Sequence, residues 1–190
     1  KPSKTPTDAV APAQPAGKKW VLDVEKGAGI VTFDAVGRPS ALKIKGKGEA
    51  PKGELTVSGG KVSGTVNFKL DTLDTGIALR NDHMRKRYLE TEKHPLAKIT
   101  FKDLELPANH ADAAFTADNV PFSGTLALHG EEKPVSGTAS VARKGESMSV
   151  NAQFEFKTSN FKIATPSFAG VTMAENVKVQ VEILAPFRAQ

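Results

Sequence analysis

The sequence predicts an all-β domain, either a sandwich or a closed antiparallel barrel, with one short helix set into it. Three observations lead there. From Trp20 onward apolar residues recur at every second position, the period of strands with one buried and one wet face. Glycine-bearing turns divide these runs at Gly27 to Gly29, Gly37-Arg38-Pro39, Gly46 to Gly53, Ser58-Gly59-Gly60, Gly130 and Arg143-Lys144-Gly145. One segment, residues 71–101, breaks the alternation with a compact and strongly charged pattern. Many short strands joined by tight turns make a sandwich or a barrel, and one-sided alternation with few exposed apolar edges favours closure.

The elements follow in order. Residues 1–17 are rich in proline, alanine and small polar residues and have little to bury, so they read as a tether or as a terminus without a role. Leu42 and Ile44 alternate with Lys43 and Lys45, and Val62, Val66, Phe68 and Leu70 with Ser63, Thr65, Asn67 and Lys69. The helix falls near residues 76–93: Ile77, Met84 and Tyr88 make a stripe with Asn81 between them, Thr75-Gly76 is its cap region, and Pro95 ends it. After it Ile99 and Phe101 take one parity but Leu104 and Leu106 the other, which predicts a bulge near Lys102 and Asp103. Phe122, Leu126 and Leu128 then share a face with Gly124, and Val135 shares one with Ala139 and Val141. The last two runs place Met148, Val150, Phe154 and Phe156, then Val177, Val179, Val181 and Ile183, against polar neighbours.

The chain has 190 residues, which suits one domain over 18–190 with a sizeable core. Its apolar runs fall short of the roughly 20 residues of a membrane-spanning helix. It has no cysteine, which removes disulfides, thiol nucleophiles and cysteine-bound metals. The net charge of +5 is spread along the chain without a base-stacking aromatic motif, so nucleic acid is not an expected partner. The chain begins at Lys1 without an apolar leader, as expected of a mature form whose signal segment has been removed.

Chemistry is hard to find. There is no G-x-S-x-G, phosphate-loop or H-E-x-x-H pattern. The two S-x-x-K matches, Ser40 to Lys43 and Ser159 to Lys162, fall in strand or turn, where nucleophile and base are not one helical turn apart. His83, His94, His110 and His129 are not paired at metal spacing, and Asp71 and Asp74 read as turn and cap residues. No catalytic residue, metal ligand or covalent cofactor is expected.

The segment 71–101 carries Asp74-Thr75-Gly76, Arg80, His83-Met84, Tyr88-Leu89, His94-Pro95 and Ile99-Thr100-Phe101, in that order. With Trp20-Val21-Leu22-Asp23, the run from Phe122 to Gly130, Lys133-Pro134-Val135 and the closing Val177 to Ile183, it resembles the YceI-like family, whose members bind long isoprenoid or fatty lipids. Two positions depart from that pattern: Asn81, where many members carry an acid, and Asn160-Phe161-Lys162-Ile163, where Asp-Phe-Gly is common. The resemblance decides for an antiparallel, lipocalin-like barrel of about eight strands. It implies export to the periplasm or beyond, and a bound polyisoprenoid, quinone-like or fatty lipid held for storage, sequestration or transport.

Such a lipid would lie against the inward faces. The bulky candidates are Phe33, Phe68, Phe101, Phe122, Phe154 and Phe156, with Leu126, Leu128, Val179 and Val181. Gly124 and Ala139, with Gly64, Gly137 and Ala152, are small enough to open a channel between them. On the residues alone the same pattern serves a packed core better, and the resemblance reverses that reading. Arg80, His83 and Arg87 would hold a polar or anionic headgroup at the mouth, or face an anionic membrane as a peripheral contact. A solvated helix face balanced by its own acids is the plainer reading of that run. The rival function is a structural or interaction protein with a filled barrel that meets partners through its outer face or tether; on either reading a monomer or homodimer is expected.

Overall fold

The computed structural model describes the backbone of residues 19–38, 43–110, 112–168 and 171–190. The expected tether, Leu42, and the Pro39 and Ser40 positions lie outside these residues.

Two strands are broken in the middle, and the breaks explain how the sheet closes. Strands β1 (Trp20–Asp23) and β2 (Ala28–Arg38) are separated by a 3-10 turn at Val24–Lys26, whose start is capped by the Asp23 carboxylate accepting from the Lys26 amide. Both run along the 19-residue β11 (Val171–Ala189): β2 pairs with its first two thirds, and β1 pairs Leu22 with Phe187 and Trp20 with Ala189. Strands β3 (Lys43–Gly48) and β4 (Lys52–Ser58) form the second broken strand, with β3 on β2 and β4 on β1. The remaining staves are β5 (Lys61–Lys69), β6 (Leu96–Glu105), β7 (Ala114–Leu128), β8 (Glu131–Lys144) and β9 (Ser147–Lys157). The order β1-β4-β5-β6-β7-β8-β9-β11 returns to β1, so with each broken strand counted once this is a closed antiparallel barrel of eight strands. A two-residue strand, β10 (Ser167–Phe168), adds to β11.

The bulge expected after Phe101 is present. Asp103 has φ 52°, and the β5–β6 register shifts between Val62 and Gly64, which returns Leu104 to the inner face. A second bulge, at Ala117 to Val120 with Asn119 at φ 54°, shifts the inner face from Phe115 and Ala117 to Val120 and Phe122 in the same way.

The helical segment is shorter than the stripe predicts. An α-helix, α1 (Ala78–His83), passes into a single π turn at Met84–Tyr88, closed by the Leu89 amide donating to the Met84 carbonyl. Glu90 then takes φ 45° and ends it, five residues before Pro95, which instead leads into β6. Thr75-Gly76 does not cap the helix, because Ile77 holds the cap position without a side-chain bond.

The end opposite the helix is sealed. Phe187 is fully buried, stacked on Trp20 with ring centroids 5.1 Å apart. The Arg143 guanidinium lies 4.2 Å above the Trp20 ring while donating to the Gly145 and His110 carbonyls, so this buried cation is hydrogen-bonded as well as stacked.

Candidate functional site

Cross-strand register brings the alternating apolar residues onto one inner surface. On β9 and β11, Phe156 faces Val177, Phe154 faces Val179, Ala152 faces Val181 and Val150 faces Ile183. All eight side chains line a cavity of about 800 Å³ inside the barrel. That volume is within the range of about 300–1,000 Å³ that holds a small apolar ligand.

Eleven of the twelve candidate lumen residues lie on this lining: Phe33, Phe68, Phe101, Phe122, Leu126, Leu128, Ala139, Phe154, Phe156, Val179 and Val181. Gly124 does not. It faces inward, but the Phe101 ring lies over it: a β-carbon there would sit 3.2 Å from that ring and 2.9 Å from the Thr100 carbonyl oxygen. Gly137 is roofed in the same way, 2.8 Å from the Phe122 ring. The small residues at these two positions therefore do not open a channel. They let Phe101, Phe122 and Phe154 lie close to the sheet, where the three rings meet edge to face at centroid distances of 6.0 and 6.4 Å.

Other residues also line the cavity. Leu55 and Val57 on β4 carry the same alternation and were legible, whereas Ile77, Leu79 and Thr158 belong to no strand pattern. Thr158 is buried in the wall, and its hydroxyl has no hydrogen-bond partner.

The helical segment forms one rim of the cavity, and Arg80, His83 and Arg87 all line it there. The chain entering α1 is tied down by polar bonds. The Asn81 side-chain oxygen accepts from the Thr75 amide at 2.8 Å and the Thr75 hydroxyl at 2.7 Å, while its nitrogen donates to Asp74 at 2.7 Å. Arg80 donates to the Thr75 hydroxyl and carbonyl oxygens, and Arg85 to the Leu73 carbonyl. Asp74 exchanges backbone bonds with Lys47 on β3, so the rim is fixed to the wall. The Gly76 amide, then the Asn81 side chain, hold the Asp74 carboxyl below its usual range. The carboxylate on the lining, Glu105, is at the other end of β6.

Among the described residues no group of three or more histidine, cysteine, aspartate or glutamate side chains converges as a metal site. The His94 ring packs 4.8 Å from that of His129. His129, in the β7–β8 turn, bridges the Phe161 carbonyl and the Glu90 carboxylate, each at 3.0 Å. His110 sits in the β6–β7 connection against the Pro107 carbonyl. Ser159 donates to Glu175 while Lys162 pairs with Glu131, so this S-x-x-K match is not a nucleophile and its base. Its counterpart at Ser40 lies outside the described residues.

The family profile described as YceI-like domain matches residues 20–185, from the first strand to the last. The chain belongs to the YceI-like family. Among solved structures, a polyisoprenoid binding domain from Saccharophagus degradans implicated in plant cell wall breakdown superposes with a TM-score of 0.61 at 16% identity, covering 90% of this chain and 99% of that one. BcnA of Burkholderia cenocepacia gives 0.63 at 17% identity, over 86% and 99% of the two chains. The Campylobacter jejuni YceI protein gives 0.54 at 18%, over 73% and 84%. At these identities the likeness establishes the fold that this YceI-like barrel shares with them. No curated protein matches the chain.

Proposed function

We propose that this YceI-like barrel binds one long apolar lipid, an isoprenoid or fatty chain, in its cavity, with the polar end at Arg80, His83 and Arg87. The observation that carries this reading is the cavity of about 800 Å³, apolar along its length and bordered by cations at the helix end. Burying each CH₂ of such a chain is favourable by about 0.8 kcal/mol, so a long lipid needs few polar contacts to bind tightly. The Saccharophagus degradans domain, described as polyisoprenoid binding, supports the same ligand class. The unpartnered Thr158 hydroxyl offers one more bond to a ligand with a polar group inside the wall. In this reading the protein is exported, performs no chemistry, and stores or carries its lipid as a monomer or homodimer. A filled barrel acting through its outer surface has no use for such a cavity.

The test is mass spectrometry of an organic extract from protein purified without detergent, beside native mass spectrometry of the intact protein. A stoichiometric long-chain lipid in both is expected. A bare protein that also refuses added polyprenyl quinones and fatty acids overturns the reading.

A further inference from the structure

We propose that the helix-end rim is a docking face that seats the cavity mouth on the surface of an anionic lipid bilayer. Five large apolar side chains are exposed among the described residues: Val36, Ile77, Leu79, Leu96 and Leu184. Four of them belong to one end of the barrel. Ile77 and Leu79, 52% and 61% exposed, stand on the rim of the cavity itself. Leu96 opens β6 where the chain leaves the helical segment, and Val36 is on the β2–β3 extension that reaches past the rim, opposite Lys43. Ile77 and Leu79, water-facing at the opening of an apolar cavity, mark a surface that meets something apolar; Val36 and Leu96, whose strand neighbours Ala35 and Ala97 line the cavity, face outward at the same end.

Charge selects the occupant. Arg80, His83 and Arg87 border the opening, and four acids at this end are engaged within the protein: Asp82 by Lys86, Asp34 by Lys45, Asp74 by Gly76 and Asn81, and Glu90 by Lys93 and His129. Asp71, Glu92 and Glu49 face solvent nearby and are not on the cavity lining. Aliphatic tips among cations match a bilayer interface, where the tips enter the acyl boundary and the cations meet lipid phosphates. A second copy fits poorly, because like rims set face to face would oppose Arg80 and Arg87 to their own counterparts. Seated this way, a cavity lipid would pass between protein and membrane without crossing water. That consequence rests on the lipid-binding reading, whereas the docking does not.

Cosedimentation tests it, with vesicles of phosphatidylcholine alone and of phosphatidylcholine mixed with phosphatidylglycerol, both free of isoprenoid lipid. The protein is expected on the mixed vesicles, with binding weakened by salt. Ile77→Glu/Leu79→Glu is expected to abolish binding, Arg87→Gln to weaken it on the order of fivefold, and Leu184→Glu, on the outer wall, to leave it unchanged. Absence of binding, equal binding to both vesicle types, full binding by the double variant, or loss with Leu184→Glu each overturns the proposal. Native mass spectrometry of the same samples keeps the two readings apart: a retained lipid with no vesicle binding removes the docking alone, and vesicle binding without lipid removes the cavity reading alone.

Discussion

The Asn81 side chain donates to the Asp74 carboxylate at 2.7 Å, joining the first turn of α1 to the segment that pairs with β3. An acid at position 81 could accept from Thr75 as Asn81 does, but it could not donate to Asp74 and would set two carboxylates together. Asparagine is therefore the residue that satisfies both neighbours here. Asn81→Ala leaves the Thr75 amide and hydroxyl without this acceptor, a loss of about 1–2 kcal/mol, or about 2–8 °C in Tm for a chain of this size. Asn81→Asp is expected to be as destabilising at neutral pH, recovering as acid protonates the pair. Thermal melts at two pH values decide it, and an Asn81→Asp protein as stable as wild type at neutral pH refutes the argument.

The other departure from the family pattern has a different cause. Lys162 adopts φ 54° and ψ 24°, the left-handed conformation that glycine enters freely. A side chain there costs about 1–2 kcal/mol, and the exposed pair with Glu131 returns little of it. Lys162→Gly is expected to stabilise the protein by about 1 kcal/mol, a rise of about 2–4 °C in Tm. Lys162→Ala, which loses the pair and keeps the strain, should bring no gain, and equal melting of the two variants would count against the explanation.

These two positions show what a single sequence discloses. The strand order of β7 to β9 and β11 follows from alternation and turns, because each stave buries one face and a one-residue slip would expose it. The bulge at Asp103 was legible as a change of parity between Phe101 and Leu104. The helix ending at Glu90 was not, since a π turn and a left-handed glutamate have no compositional mark. The covering of Gly124 by Phe101 depends on β6–β7 register, which pairs Thr100 with Thr125 and is invisible along either strand alone. Whether the inner faces meet or stand apart is likewise a property of closure, which is why the residues alone favoured a packed core where the barrel holds a cavity.

Ala139 tests which of these the interior is. It faces Ala152 across β8 and β9, and both small side chains line the cavity. Ala139→Phe would send a ring into the cavity and displace several methylenes of any bound chain, so ligand affinity is expected to fall about tenfold or more, at about 0.8 kcal/mol per CH₂. Stability should change by less than about 1 kcal/mol, whereas overpacking a filled core costs about 1–3 kcal/mol. A large fall in Tm would show a solid interior.

The sealed end should behave in the opposite way. Phe187 is completely buried against Trp20 and away from the cavity lining, so Phe187→Ala is expected to cost about 3–5 kcal/mol. That is about 6–20 °C in Tm. Trp20 is the only tryptophan, so its fluorescence reports this end alone and should shift to longer wavelength in the variant. Unchanged emission would mean that the stack does not persist in solution.

Acid sensitivity follows from the carboxylates that fasten the helix end. Glu90 is held below its ordinary value by the hydrogen bond from Lys93 and then that from His129, and Glu131 by Lys162. A carboxylate with a depressed folded-state pKa binds its proton more readily when unfolded. Its stabilisation is therefore complete above the ordinary value, 4.5 for both glutamates, and is lost as pH falls through the lower folded-state value. Both side chains reach solvent, so the effect is modest and salt should reduce it. Tm is expected to hold down to about pH 5 and to decline below about pH 4. Glu90→Gln/Glu131→Gln should start lower at neutral pH and decline less steeply, and an acid slope identical to that of wild type would assign the sensitivity to other groups.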